Sequence, residues 1–214
     1  MRVHLRTPQL IRRMASAIAG TALAFALLGG SALAAPPTVR DHTASSGAAA
    51  AHNVCVGTVC TATSVFAIVN EPGGPTQACL DITRFEQVGT TFVLLGYETG
   101  CALIDESSFS IETKGLSNAA LSSTMIPVQA FTCDATGCNP TGTRMALVSA
   151  TYTGVGELAT FRSNSKSSFG GCTMYFVGKG SSREAAATLT IDGGSLDAPG
   201  SLFASSQKVK ILCH

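Results

Sequence analysis

The sequence predicts an all-β chain: an antiparallel β-sandwich, with a barrel as the alternative, of about ten short strands stabilised by disulfides. Three observations lead there. β-Branched and aromatic residues recur in short alternating runs, parted by Gly, Pro and Asp turn signals at spacings of roughly 8–12 residues. All 8 Cys lie beyond residue 54, and an even set in an exported chain reads as a disulfide framework. No segment holds a convincing helical period; Leu116 to Thr124 is short and Ser-rich, fit for a helical turn or an edge segment. Composition agrees. The 214 residues are 45% hydrophobic and 13% charged, with 22 Gly and no Trp. A soluble domain usually carries about 25% charge, and disordered chains combine high charge with low hydrophobicity, the reverse of this one.

The elements follow in order. Residues 1–34 read as a secretory signal peptide. Arg2, Arg6, Arg12 and Arg13 form a basic start, Ala17 to Leu28 an uncharged apolar stretch, and Ser31-Ala32-Leu33-Ala34 a small-x-small cleavage site. The apolar stretch falls short of the about 20 residues a membrane helix needs. Removal of this segment takes away four Arg and no acid. The remaining chain then holds 14 − 4 = 10 basic and 13 acidic residues, and the formal charge moves from +1 to −3. Such a chain has little long-range attraction for nucleic acid. Residues 35–53, rich in Ala, Pro, Ser and Thr, read as a flexible arm, and 54–214 as one β-sandwich domain.

Within that domain, Ser64 to Asn70 is a strand ended by Pro72-Gly73-Gly74-Pro75. Cys79 to Phe85 and Thr91 to Tyr97 flank a turn at Gln87-Val88-Gly89. Phe109 and Ile111, then Ile126, Val128 and Ala130, alternate with polar residues. Met145 to Thr153 follows a Pro-Thr-Gly turn, and Gly154-Val155-Gly156 separates it from Glu157 to Ser167. Cys172 to Gly178, Arg183 to Asp192 and Leu202 to Cys213 complete the set. With turns at Phe169-Gly170-Gly171 and Lys179-Gly180-Ser181-Ser182, period-2 alternation puts Cys172, Met174 and Phe176 on the inward face with Ala185, Ala187, Leu189 and Ile191.

Cysteine spacing suggests the pairings. Cys133 and Cys138 bracket a four-residue turn with Asp and Gly, and Cys55 and Cys60 share that spacing; both pairs read as local. Cys79 with Cys101 and Cys172 with Cys213 are then the longer links. Metal binding is the competing use, but the four-residue gaps exceed the usual chelate spacing.

Tests for chemistry return little. There is no Gly-x-Ser-x-Gly elbow. His42 and His52 fall in the expected arm and His214 is terminal, so no imidazole has a rigid place as a base. Asp105-Glu106, Glu71, Glu86, Glu98 and Glu157 could supply a carboxylate pair, though acids near turns are usually solvated. Asp192-Gly-Gly-Ser-Leu-Asp197 lacks the spacing of an EF-hand and reads as a turn. No cofactor is implied.

One charge feature stands out. Arg162, Lys166, Lys179 and Arg183 lie within 22 positions, and the register brings Arg162, Lys166 and Lys179 to one outward face beside Tyr175. This face fits an anionic glycan, a lipid head group or an acidic protein. The simpler reading is a solvated strand face, whose cations guard against unwanted pairing.

The run Arg162-Ser-Asn-Ser-Lys-Ser-Ser-Phe-Gly-Gly-Cys172, with Gly180-Ser-Ser-Arg-Glu-Ala-Ala-Ala and Asp192-Gly193, resembles a stretch of small, uncharacterised exported β-rich proteins of high-GC Gram-positive bacteria. The resemblance covers about a third of the chain beyond the signal. It implies export and β architecture, and it transfers no activity or site residue. The sequence therefore points to an exported, non-catalytic structural or binding module, with an extracellular protein or glycan as the partner class. The alternatives are an extracellular hydrolase with dispersed carboxylates and a secreted protease inhibitor that presents the 133–138 loop.

Overall fold

Glycine at the hairpin tips sets the architecture. In the computed structural model, which describes residues 38–213, five tight two-residue turns connect successive antiparallel strands. Gly57-Thr58 joins β1 (Thr38–Val56) to β2 (Val59–Glu71), and Gly89-Thr90 joins β3 (Thr76–Val88) to β4 (Thr91–Ile104). A short β5 (Phe109–Ile111) follows. Ala135-Thr136 joins β6 (Asn118–Asp134) to β7 (Gly137–Phe169), Gly170-Gly171 leads into β8 (Cys172–Ile191), and Asp192-Gly193 leads into β9 (Gly194–Cys213). The last two turns have both central residues at positive φ: 56° and 77° at Gly170-Gly171, 52° and 85° at Asp192-Gly193. That is the type I′ geometry whose twist matches flanking strands. Residues 72–75 link β2 to β3 and include a cis Glu71-Pro72 bond. The helical content of the described residues is one 3-10 turn at Glu106–Ser108.

The all-β antiparallel class, with its disulfides, is as the sequence predicts. The strands lie in one nine-stranded sheet of order β4-β3-β2-β1-β9-β8-β7-β6-β5, and β4 also pairs with β6, so the sheet meets itself as a ring. Nine strands replace the ten expected, and several are long. Gly154-Val155-Gly156 is an irregularity inside β7, between Val155 and Ala159, and the Pro-Thr-Gly signal also lies within that strand. Lys179-Gly180-Ser181-Ser182 is strand interior, since β8 pairs with β9 without interruption from Cys172 to Ile191. This corrects the expected inward face. With no turn at 179–182, period 2 carries on, so Cys172, Met174 and Phe176 lie on the side opposite Ala185, Ala187 and Leu189.

The expected arm at 35–53 is likewise corrected over the described residues. From Thr38 onward it is β1, paired with both β2 and β9. Its alanines are core residues: Ala48 is fully buried and Ala50 nearly so. Alanine and glycine serve here because neighbouring groups come very close; at Gly47 the Phe203 ring occupies the space a Cβ would take. The expected signal segment, 1–34, and residues 35–37 lie outside the described residues.

The core is the inner side of the ring. Ala48, Val65, Leu80, Ile126, Val148, Tyr152, Leu189 and Leu202 are buried there, drawn from seven of the long strands. Tyr152 is 1% exposed, its hydroxyl has no partner among the described residues, and burial pushes the phenol well above its ordinary pKa. All four disulfides join neighbouring strands in the expected pairs: Cys55–Cys60, Cys79–Cys101, Cys133–Cys138 and Cys172–Cys213.

Arg144 ties the ring closure together. It sits on β7 and bonds Glu98 of β4 at 2.7 Å and Asp192 of the β8–β9 turn at 2.6 Å. Asp192 also accepts from the Leu147 amide at 2.9 Å. That amide bond, with the Arg144 guanidinium, holds the Asp192 carboxyl below the usual carboxylate range. A lowered folded-state pKa stabilises above the unfolded value, about 3.9, and the gain is lost as pH falls through the folded value. The pair is largely exposed, so the gain is small, within the roughly 0–1 kcal/mol of surface ion pairs. Thermal melts of Asp192→Asn are expected to show a flatter acid limb below about pH 4 than the parent; identical limbs contradict this role.

Candidate functional site

On the β1–β2 side, β2 runs out at Glu71, opposite Ala44. On the other side, β6 leaves β7 at Thr153. Beyond these points four strands continue alone: the start of β1, the end of β9, the start of β8 and the end of β7. Register decides which side chains share a face of this extension, because directly opposed residues in antiparallel strands point the same way. Arg162 is opposite Lys179, and Lys166 opposite Tyr175. Tyr175 is opposite Lys210, and Val177 opposite Lys208. Lys210 is opposite Arg40, and Lys208 opposite His42. The Lys166 Nζ lies 5.5 Å from the centre of the Tyr175 ring, a cation–π contact across the strand pair. On β8 and β9 the same parity leads to Ala185 and Leu202, so this face continues the core-facing side of the sheet past the ring.

Two transverse rows result. One reads Lys166, Tyr175, Lys210, Arg40 across β7, β8, β9 and β1. The other, toward the ring, has Arg162 and Lys179 side by side. The paired residues of these strands supply no acid to this face. Asp41, opposite Val209, and Glu184, opposite Ser201, belong to the other side, and Glu157 falls in the unpaired stretch of β7 between Val155 and Ala159. The nearest acid of the same parity is Glu71, at the border of the extension. Among the described residues both ion pairs belong to Arg144, so the five cations of the rows and Lys208 have no anionic partner.

The sequence-derived set is thereby divided. Arg162, Lys166, Tyr175 and Lys179 come together. Arg183 shares the parity but is taken up elsewhere: it donates to Gly156 O at 3.1 Å and Gly115 O at 3.2 Å, clamping the 112–117 loop onto the sheet. Glu184, read as a local counter-charge, lies on the opposite side. Three residues were missed. Arg40 was assigned to the arm. Lys208 and Lys210 were seen only as part of a strand, although Gln207-Lys208-Val209-Lys210-Ile211 carries a plain period-2 signal with cations on one side and branched apolar residues on the other.

The reverse face of the extension is apolar. Phe161, Phe169 and Met174 are exposed there, with Phe176, Val209 and Ile211 half-buried.

The other candidates are placed as follows. His52 lies on β1 and its Nδ1 is 2.7 Å from Asp197 O, so it is held by the sheet and not on an arm. A groove of about 380 Å³ gathers Asp41, His42 and Glu71, but by register the two carboxylates lie on opposite sides of the sheet. A second groove, about 540 Å³, is lined by Thr151, Thr153, Thr188 and Pro199 with Asp197 as its acid. Glu98 is engaged by Arg144, and Glu86 accepts from Thr58. The 133–138 loop is a two-residue turn. Its Asp134 accepts from the Thr136 amide and hydroxyl at 2.7 and 2.6 Å, which hold that carboxyl below its ordinary pKa.

Comparison with known proteins adds no relative. No family model, curated protein or solved structure matches the chain. Among the described residues no helix is long and apolar enough to cross a membrane, and no cluster of His, Cys, Asp and Glu is placed to hold a metal ion. The basic face is thus the strongest candidate site on physical grounds alone.

Proposed function

We propose that the protein is an exported binding module whose working surface is the basic face of the four-stranded extension and whose ligand is polyanionic. Four disulfides suit an oxidising compartment, and the export signal read from residues 1–34 supplies the route. Protein recovered from a secreting culture is expected to begin near Ala35; a retained Met1 contradicts export.

The single observation that carries the reading is the pairing of like charges. Arg162 opposes Lys179 and Lys210 opposes Arg40, and like charges directly opposite each other across strands destabilise a sheet. Protection of sheet edges accounts for cations on β7 and β1, whose outer edges are free in the extension. It does not account for Lys179, Lys208 and Lys210, which sit on the inner strands β8 and β9. An anionic ligand relieves the repulsion and explains why it is kept.

The test is the double variant Lys179→Glu/Lys210→Glu. It converts both like-charged pairs into opposite-charged ones, each worth about 0.2–1 kcal/mol. The unliganded variant is therefore expected to melt at or above the parent temperature, while its affinity for heparin falls on the order of a hundredfold, equivalent to about 2.8 kcal/mol. Unchanged heparin binding, or no binding by the parent, contradicts the proposal.

A further inference from the structure

We infer that the ligand is a linear acidic polysaccharide that lies across the four strands along the row Lys166, Tyr175, Lys210, Arg40. The inference rests on the proposed polyanion-binding role and narrows its ligand. Three features argue for it.

The first is spacing. Neighbouring strands lie about 4.8 Å apart, so the backbone positions of Lys166 and Lys210, with one strand between them, are separated by roughly twice that distance. This is the pitch of a disaccharide, so a polymer with one charge on every second sugar meets a cation at each repeat. Arg40 adds a planar donor fork at the end of the row, suited to a carboxylate or sulfate.

The second is Tyr175. It occupies the position between the two lysines, 37% exposed, with the Lys166 ammonium over its ring. An aromatic ring between two cations gives the uncharged sugar of each repeat an apolar platform, while the phenol oxygen remains free for sugar hydroxyls. The hydroxyls and amide of Thr160, Asn164, Ser168 and Ser206 share the same parity and border the row.

The third excludes a lipid surface. Peripheral membrane proteins combine cations with apolar side chains on one face. Here the exposed Phe161, Phe169 and Met174 lie on the side of the extension away from the cations, and Val177 is the exposed apolar residue that shares the cations' face, so a flat bilayer that meets the cations gains little apolar contact. Single-stranded nucleic acid is read by successive aromatic platforms, and the row offers one.

The experiment uses the secreted protein and four probes at matched charge concentration: hyaluronan oligosaccharides, polyphosphate, single-stranded DNA and vesicles containing phosphatidylglycerol. Hyaluronan is expected to bind tightest. Tyr175→Ala is expected to weaken hyaluronan about tenfold and leave polyphosphate unchanged, and Tyr175→Phe to retain most of the hyaluronan affinity. If polyphosphate binds as tightly as hyaluronan and Tyr175→Ala affects neither, the face reads charge alone: the polysaccharide inference fails while the polyanion reading stands. Preference for DNA or vesicles overturns the inference in the same way. Binding to none of the four overturns both.

Discussion

Gly100→Val is expected to lower the melting temperature by roughly 10 °C, from a loss of about 3 kcal/mol at 2–4 °C per kcal/mol for a domain of this size. The effect follows from how the ring meets itself. β4 pairs with β6 over only Gly96–Thr99 and Gln129–Thr132, so this seam has few hydrogen bonds. Gly96 is its first residue and Gly100 directly follows it, four residues apart and on one face. A Cβ at Gly100 meets Pro127 O, and one at Gly96 meets Phe131 O. Both obstacles are backbone carbonyls of β6, which cannot rotate away as a side chain can, so the strands must part. Gly194→Ala is the control, since its Cβ has only Ile191 O within reach, at an ordinary 3.4 Å. Two-state thermal melts of both variants check the prediction. An unchanged melting temperature for Gly100→Val means that the seam does not hold the ring.

The second large effect is the double variant Cys172→Ser/Cys213→Ser. This bridge joins the first residue of β8 to the last of β9, at the far end of the extension, and closes a loop of 41 residues' separation. On the chain-entropy model such a loop is worth about 4 kcal/mol, against about 2 kcal/mol for a bridge of the Cys133–Cys138 kind. That bridge spans a separation of 5. The Cys172/Cys213 variant is expected to melt roughly twice as many degrees lower as Cys133→Ser/Cys138→Ser. Its losses are also localised: the extension has no core to hold it once unstapled, so amide exchange should rise first over residues 204–213. Lys208 and Lys210 then lose their fixed places, and polyanion affinity falls as well. Equal melting losses for the two double variants, with exchange unchanged at 204–213, contradict the account.

Some of this was legible in the sequence, and the reasons are local. Disulfide pairings could be read because every bridge joins adjacent strands, where facing positions are already close. The Gly170-Gly171 and Asp192-Gly193 turns could be read because positive φ at both central residues selects those amino acids. Gly180 was misread as a turn for the same reason. It is a strand residue whose missing side chain makes room for the Phe161 ring, and sequence does not distinguish a glycine that bends the chain from one that admits a neighbour. The alanines of residues 48–51 were misread as an arm because small core residues and flexible linkers have the same composition. Both errors fed into the site. The false turn broke the parity that links Lys179 to the core-facing side. The false arm removed Arg40 from a row that only the β1–β9 pairing assembles. Closure through β4 and β6 leaves no local mark, because the partners are about 30 residues apart and their pairing depends on two glycines.

The central claim is that the extension's basic face is the ligand-binding surface, and the lysines allow it to be read directly. The sequence has five: Lys114, Lys166, Lys179, Lys208 and Lys210. Four are on the face, and Lys114 is in the loop beyond β5. Limited acetylation of the secreted protein, with and without a saturating acidic oligosaccharide, followed by peptide mass mapping, measures the protection of each one. The account predicts strong protection of Lys166, Lys179, Lys208 and Lys210, and none at Lys114. Protection of Lys114 to the same degree, or of none of the five while the ligand is bound, contradicts it.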